Sequence, residues 1–337
     1  MLLEVLIRRM RSREEAIHPP RGIIREECYL GRGVDVLNIY ERCSHGCSYC
    51  YVEWPWSPRS IVVRINLVEK VRREIIKRYL GKRVIVNLGS ATDPYQPIEE
   101  KYLMTRRIIA LLAKFNASIY ICTKSKLILR DLNIIANYPH CWIGISISSL
   151  NDDFGKVFEP HATRPIERLR VIERLVDEGV QVVARISPII PGVNDSIDSL
   201  SKLIAELESI GVKYVVAELL KLDRRGYIFY GWEGMPKWKR NLKSSLIEWG
   251  GEKLANEIEE MYYRRGGVLY GYVVPRENMR YKLLSRVRNL CHENIRFTTC
   301  NMGLAIKRRL SNWINREGKF MCACYAREPT PIIYGGK

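Results

Sequence analysis

Short runs of β-branched and other apolar residues alternate with amphipathic stretches of helical period from residue 36 onward, and this alternation restricts the chain to few folds. The runs at 36–40, 83–88, 118–122, 142–147, 181–186 and 213–217 are apolar enough to be buried on both faces, as parallel strands are. Between them, 61–80, 101–114, 127–138, 165–178 and 196–210 have the spacing of crossover helices. Six such units predict an α/β fold, an incomplete TIM-like (β/α)6 barrel whose functional loops lie at the C-terminal strand ends. An incomplete barrel has a lateral opening through which a large substrate could enter.

Three parts follow. Residues 1–35, charged and carrying Pro19-Pro20 and Gly31-Arg-Gly33, read as a lead-in that packs against something else. Residues 36–222 form the partial barrel. Residues 223–337, where the alternation stops, read as a C-terminal extension whose first part, 223–271, is rich in Trp, Tyr, Arg and Lys, with helical segments at 237–248 and 252–264.

No apolar window approaches the roughly 18 residues that a membrane span needs, so a cytoplasmic protein is expected. The ten cysteines suit metal ligation in a reducing compartment better than a disulfide framework, given 337 residues and no signal peptide. A formal charge of +18 creates a positive surface potential and makes nucleic acid, DNA or RNA, the first partner to consider.

The segment NIYERCSHGCSYCYVEW follows the first predicted strand, so Cys43-x3-Cys47-x2-Cys50 lies in a loop at a strand end. Three close thiolates without a local fourth hold a cubane [4Fe–4S] cluster with one iron open to an external chelate. Gly46 lets the backbone turn beside the metal, and Tyr51 can cover the cluster. The competing reading is zinc, whose knuckles show all their ligands at short spacing.

CSHGCSYCY resembles the cluster motif of the radical S-adenosylmethionine (SAM) enzymes. GSATDPYQPIEEKYLMTRR, TKSKLILRDLNII, ISISSLND and RISPIIPGVND, in that order at predicted strand ends, resemble the spore photoproduct lyase-like, or DNA repair photolyase-like, family within it. The resemblance covers roughly residues 36–220. It implies a cluster whose open iron is chelated by the amino and carboxylate groups of SAM, reductive cleavage to a 5′-deoxyadenosyl radical, and a reductant such as ferredoxin or flavodoxin.

Several residues then become cofactor candidates. Gly89 and Ser90 end the second strand, where a small residue permits close backbone approach; the resemblance puts the SAM amino group here. Lys124, Ser146 and Ser148 follow the third and fourth strands and offer a charge and hydroxyls; the resemblance assigns Lys124 and one serine to the methionine carboxylate. Arg185 sits in the apolar run VQVVARISPII and needs a partner, either a cofactor group or Glu218. Lys124 could equally be a surface lysine, and the serines helix caps. Asp93 and Gln96 are expected to shape the pocket, and Pro188, Pro191, Gly192 and Asn194 to form a wall of it.

One departure concerns hydrogen return. Spore photoproduct lyases align a cysteine with Ser90, and a hydroxyl is a poor hydrogen-atom donor. Tyr95 or a C-terminal cysteine could replace it.

In the extension, Cys291, Cys300, Cys322 and Cys324 could hold a second Fe–S cluster or zinc, or could be plain buried thiols. The surroundings, RYKLLSRVRNLCHENIRFTTCNMGLAIKRRL, interleave basic and aromatic residues, as single-strand binders do. The expected function is a radical SAM enzyme that repairs or modifies a nucleic-acid base. The alternatives are radical modification of a peptide or small metabolite with an auxiliary cluster, and a non-catalytic zinc-stabilised nucleic-acid-binding protein.

Overall fold

The computed structural model describes residues 5–17, 34–52, 55–82, 85–269 and 271–299. In chain order its strands are β1 (Val5–Arg8), β2 (Val34–Leu37), β3 (Tyr40–Glu41), β4 (Ile61–Arg64), β5 (Ile85–Leu88), β6 (Ser118–Thr123) and β7 (Cys141–Ser146). Then come β8 (Gln181–Ile189), β9 (Tyr214–Leu219), β10 (Leu222–Asp223), β11 (Gly267–Leu269), β12 (Tyr272–Val274) and β13 (Arg296–Thr299).

The main sheet has seven strands in the order β2-β5-β6-β7-β8-β9-β13, each pairing parallel. No pairing joins β2 to β13 among the described residues, so the sheet is an open, TIM-like partial barrel. Helices at Met104–Lys114, Pro165–Asp177, Ile197–Ser209 and Glu277–Leu290 contribute to the layer that covers its outer face. The helix at Ile197–Ser209 starts where the Ser196 hydroxyl accepts from the Ser199 N–H (3.2 Å), and it buries Leu200, Leu203, Ile204 and Leu207, one stripe at i, i+3, i+4 and i+7. Each such side chain contributes roughly 1.5–3 kcal/mol of burial.

The structure corrects the sequence reading at three points. A seventh strand, β13, comes from the extension and pairs with β9, so the αβ repeat resumes after an insertion rather than ending near residue 222. The run at 36–40 divides into β2 and β3, and β3 leaves the barrel to pair antiparallel with β4. The first residues of the expected 61–80 helix, Ile-Val-Val-Arg, form β4 instead, because a β-branched run buried on both faces suits a strand; the helix begins at Leu67. In the lead-in, β1 pairs parallel with β4, while Pro19-Pro20 and Gly31-Arg-Gly33 lie outside the described residues. No described helix is long and apolar enough to cross a membrane.

Inside the barrel, Val34, Ile85, Tyr120, Trp142, Val183 and Val216 form a compact cluster distinct from the sheet–helix core. By the two-residue period of a strand, Asn87, Cys122, Gly144, Ser146, Arg185 and Glu218 continue this inner face toward the C-terminal ends. Gly144 makes the space: a Cβ there would lie 2.5 Å from the Tyr120 hydroxyl and 3.0 Å from Arg185 Cδ.

Candidate active site

The three cysteines lie on the loop between β3 and β4, at the mouth of this inner face, and two neighbouring loops grip it. From the β5 loop, Gln96, fully buried, straddles Cys43: its Oε1 accepts from the Ser44 N–H (2.9 Å) and its Nε2 donates to the Arg42 carbonyl (3.0 Å). Thr92 donates to the Tyr40 carbonyl (2.9 Å), and the Ala91 N–H donates to Asn38 Oδ1 (3.0 Å). The Asp93 carboxylate accepts from the Tyr95 N–H, Thr123 Oγ1 and the Lys124 N–H at 2.7–2.8 Å and lies 3.4 Å from His45 Nδ1.

From the far side, the Ser48 N–H donates to the Phe158 carbonyl (3.0 Å) and the His161 N–H to the His45 carbonyl (3.2 Å). Tyr49 donates to Glu159, which is fully buried and paired with Arg168; Arg168 also donates to the Ser146 carbonyl (2.9 Å). Burial pushes the Glu159 carboxyl up, but Arg168 and Lys124 outweigh it and hold it below the usual range. Gly46 has φ +66°, and a Cβ there would press on His161 and Trp238 at 3.2–3.3 Å, so the loop needs glycine at this turn. Cys47 and Tyr49 belong to a second apolar cluster with Phe154, Phe158, Leu220 and Phe229, through which the extension packs on the loop.

Burial pushes the Cys47 thiol up to about 12 although Lys124 pulls it down, and burial together with Asp93 raises Cys43 well above its ordinary value. Both are therefore thiols without metal, while a coordinating cation deprotonates such groups outright. Among the described residues no three His, Cys, Asp or Glu side chains converge on a single ion. A cubane does not ask that of them, since each thiolate binds a different iron.

The expected cofactor residues divide. Ser90 lies at the mouth: its hydroxyl donates to Asn38 Oδ1 (3.3 Å), and its carbonyl accepts from the Tyr51 hydroxyl (2.8 Å). Gly89 has φ +88° and a Cβ there would come 2.4 Å from the Cys122 carbonyl, so the strand packing already requires glycine. The Lys124 ammonium stands 5.8 Å over the Tyr49 ring, which brings it beside the cysteine loop. Ser148 is buried and its hydroxyl has no hydrogen-bond partner among the described residues; Asn194 holds its carbonyl (2.8 Å). Arg185 faces Glu218 at 3.9 Å, and Glu218 also takes Lys221 and Ser187, so the partly buried arginine is met by a buried acid.

Tyr95 lies elsewhere. It is fully buried in the sheet–helix core and its hydroxyl donates to Asp131 Oδ2 (3.0 Å), within a network that includes Arg106, Arg130 and Glu99. Cys291 is buried in the same core, where burial pushes its thiol up to about 12; Cys300, Cys322 and Cys324 lie outside the described residues.

The sequence reading missed Asn38, Asn87, Tyr120, Lys221 and Tyr272. Asn87 Oδ1 is buried without a hydrogen-bond partner among the described residues, as are the hydroxyls of Ser44 and Ser48 beside the cysteines. Tyr272, on β12, packs edge-on against Tyr51 (5.9 Å), and the Lys221 ammonium lies 5.1 Å from the Tyr51 ring and 5.7 Å from the Tyr272 ring. The strand period was the available signal, since Asn87, Tyr120 and Arg185 are polar or aromatic in otherwise aliphatic runs on one face.

Residues 37–204 match the Radical SAM superfamily. An uncharacterized protein of Methanocaldococcus jannaschii is 32% identical over 168 residues, 48% of this chain and 62% of the other. One from Acidianus two-tailed virus is 28% identical over 250 residues, 68% of this chain and 80% of the other, and one from Mycobacterium bovis is 28% identical over 188 residues, 52% and 55%. This chain thus spans less than two thirds of the archaeal and mycobacterial relatives. Among solved structures, a point mutant of spore photoproduct lyase superposes with a TM-score of 0.55 at 16% identity, over 75% of this chain and 71% of that one. Another mutant of that lyase with bound AdoMet and dinucleoside spore photoproduct gives 0.55 at 14% identity, over 85% and 78%. That likeness is one of fold, and together with the matched region and the clamped cysteine loop it leads to one conclusion: the chain belongs to the radical SAM superfamily.

Proposed function

We propose that this chain holds a [4Fe–4S] cluster through Cys43, Cys47 and Cys50, binds SAM at the open iron, and directs the resulting radical at a nucleic-acid base. The observation that carries the reading is the cysteine loop, fixed on both sides at the mouth of an open parallel barrel. The residues fit such a group: the buried hydroxyls of Ser44, Ser48 and Ser148 and the Asn87 amide oxygen are polar atoms without hydrogen-bond partners among the described residues, and a polar ligand would satisfy them. When bound, the cluster and SAM supply one-electron cleavage to methionine and a 5′-deoxyadenosyl radical.

The chain's own residues do the rest. Gln96 and Asp93 hold the loop so that its thiolates are presented together. Lys124 supplies the charge for the SAM carboxylate, with Ser146 and Ser148 as hydroxyl donors and the Gly89–Ser90 backbone opposite the amino group. Arg185, oriented by Glu218, closes the inner wall. Tyr51, with Tyr272 and Lys221 against it, screens the mouth from water. Ser90 stands beside Tyr51 at the mouth, a position from which it would reach the substrate or the SAM amino group.

A nucleic-acid substrate is supported by the charge of +18. Three of the similar spore photoproduct lyase structures likewise carry a dinucleoside spore photoproduct. The test is anaerobic incubation of the reconstituted, reduced protein and SAM with DNA and RNA, followed by digestion and mass analysis of the nucleosides. The proposal expects an altered nucleoside and nucleic-acid-stimulated formation of 5′-deoxyadenosine. Stimulation by peptides or small metabolites alone would refute the substrate class while leaving the radical chemistry in place.

A further inference from the structure

We propose that Trp56, Tyr227 and Trp232 form a stacking platform for an unpaired base of single-stranded nucleic acid at the rim of the cluster loop; this rests on the nucleic-acid reading above. Trp56 is 66% exposed, the most exposed of the large apolar side chains among the described residues. Burial would gain more for this side chain than for most, yet the fold leaves it in water. Its ring meets Tyr227 edge-on at 6.1 Å, and Tyr227 meets Trp232 at 6.3 Å, so three aromatic rings from two separate segments of the chain adjoin.

The platform is anchored. The Asp223 carboxylate, 1% exposed, accepts from the N–H groups of Arg225, Tyr227 and Ile228 at 2.8–3.0 Å and so fixes the backbone that carries Tyr227. On the other loop, Arg42 donates to the Pro58 carbonyl and lies over the Trp238 ring at 5.3 Å. Arg42 precedes Cys43 and Trp56 lies two residues before Pro58, a reach of at most about 7 Å of chain. A base stacked on Trp56 would therefore lie beside the cysteine loop.

The charge around the rings favours a polyanion. Across residues 55–60 and 224–235 the side chains charged at neutral pH are Arg59, Arg224, Arg225 and Glu233, with both Arg224 and Arg225 exposed and the Arg225 guanidinium 3.5 Å from the Tyr227 hydroxyl. An exposed Trp56 backed by the half-buried Tyr227 and Trp232 and flanked by arginines offers what a single strand requires, stacking for the base and cations for the phosphates. A duplex keeps its bases stacked internally and cannot use the rings.

The test measures binding of a labelled oligothymidylate and of a matched duplex to the reconstituted protein by fluorescence anisotropy across salt concentrations. The wild type is expected to prefer the single strand. Trp56→Ala should weaken that binding roughly 5- to 150-fold, the range of one lost stacked base, with the salt slope unchanged because no charge is removed. Trp56→Phe should retain most of the affinity, and Arg225→Ala should lower the salt slope by about 0.7. Unchanged single-strand affinity in Trp56→Ala, or an equal loss on single strand and duplex, overturns the platform while leaving the nucleic-acid reading intact. If the wild type binds neither oligonucleotide, the nucleic-acid reading itself falls, and the platform with it.

Discussion

Gln96→Ala is the sharpest perturbation of the site because one side chain holds both peptide groups flanking Cys43. Its removal takes from the Ser44 N–H and the Arg42 carbonyl the bonds they make at 2.9 and 3.0 Å. Ser44 and Arg42 are 4% and 6% exposed, so bulk water does not reach them freely. Losing a hydrogen bond at a buried group costs about 1–3 kcal/mol, and a water entering the vacated space recovers part, so the two lost bonds give an expected loss of about 2–4 kcal/mol. Against a total stability of about 5–15 kcal/mol this is a large fraction. Chemical denaturation of the apo protein should show it, and iron retained per chain after anaerobic reconstitution should fall, because the Cys43 backbone is no longer fixed. Gln96→Glu separates the two bonds: it keeps an acceptor for Ser44 but turns a carboxylate oxygen on the Arg42 carbonyl. Wild-type stability and iron content in both variants would refute the clamp.

Asp131 is bonded to Arg106, Arg130 and Tyr95; burial raises its carboxyl, and the two arginines outweigh this and hold it below its usual range. Its contribution is thus present above the unfolded value near pH 3.9 and lost as pH falls through the lower folded value. Asp131→Asn should cost about 2–3 kcal/mol at pH 7, less than a fully buried pair because Arg106 and Arg130 are 35% and 23% exposed, and should flatten the acid limb of a stability–pH curve. An unchanged acid limb would contradict this. Lys124→Met should weaken SAM binding by about 10- to 150-fold, the value of one charged hydrogen bond, with iron content intact, as equilibrium dialysis would show. Cys291→Ala should lower the melting temperature through lost core packing and leave bound metal unchanged; a fall in iron or zinc would make Cys291 a ligand.

The barrel was legible because its strands are aliphatic on both faces, a pattern few folds produce. β13 was not, because Arg-Phe-Thr-Thr is short, edge-placed and polar, and only its pairing with β9 makes it a strand. The cysteine loop was legible from spacing and from Gly46. Its clamp was only half so: Asp93 and Gln96 were singled out as pocket residues, yet apart from the local Tyr95 N–H their targets lie some fifty residues away or on the next strand, and no local pattern encodes those contacts. Tyr95 illustrates the reverse. Its position in the GSATDPY segment suggested chemistry, whereas its hydroxyl is spent on Asp131, which a linear reading has no means to see. Tyr272 reaches Tyr51 only because β12 pairs with β10, far from the motif in sequence.

The measurement that bears most directly on the central claim is the yield of 5′-deoxyadenosine from SAM after anaerobic loading with iron and sulfide and chemical reduction, comparing the wild type with Cys47→Ala. The wild type should retain iron and sulfide and form 5′-deoxyadenosine, and Cys47→Ala should lose both. No product from a fully loaded wild type, or equal product from Cys47→Ala, would contradict it.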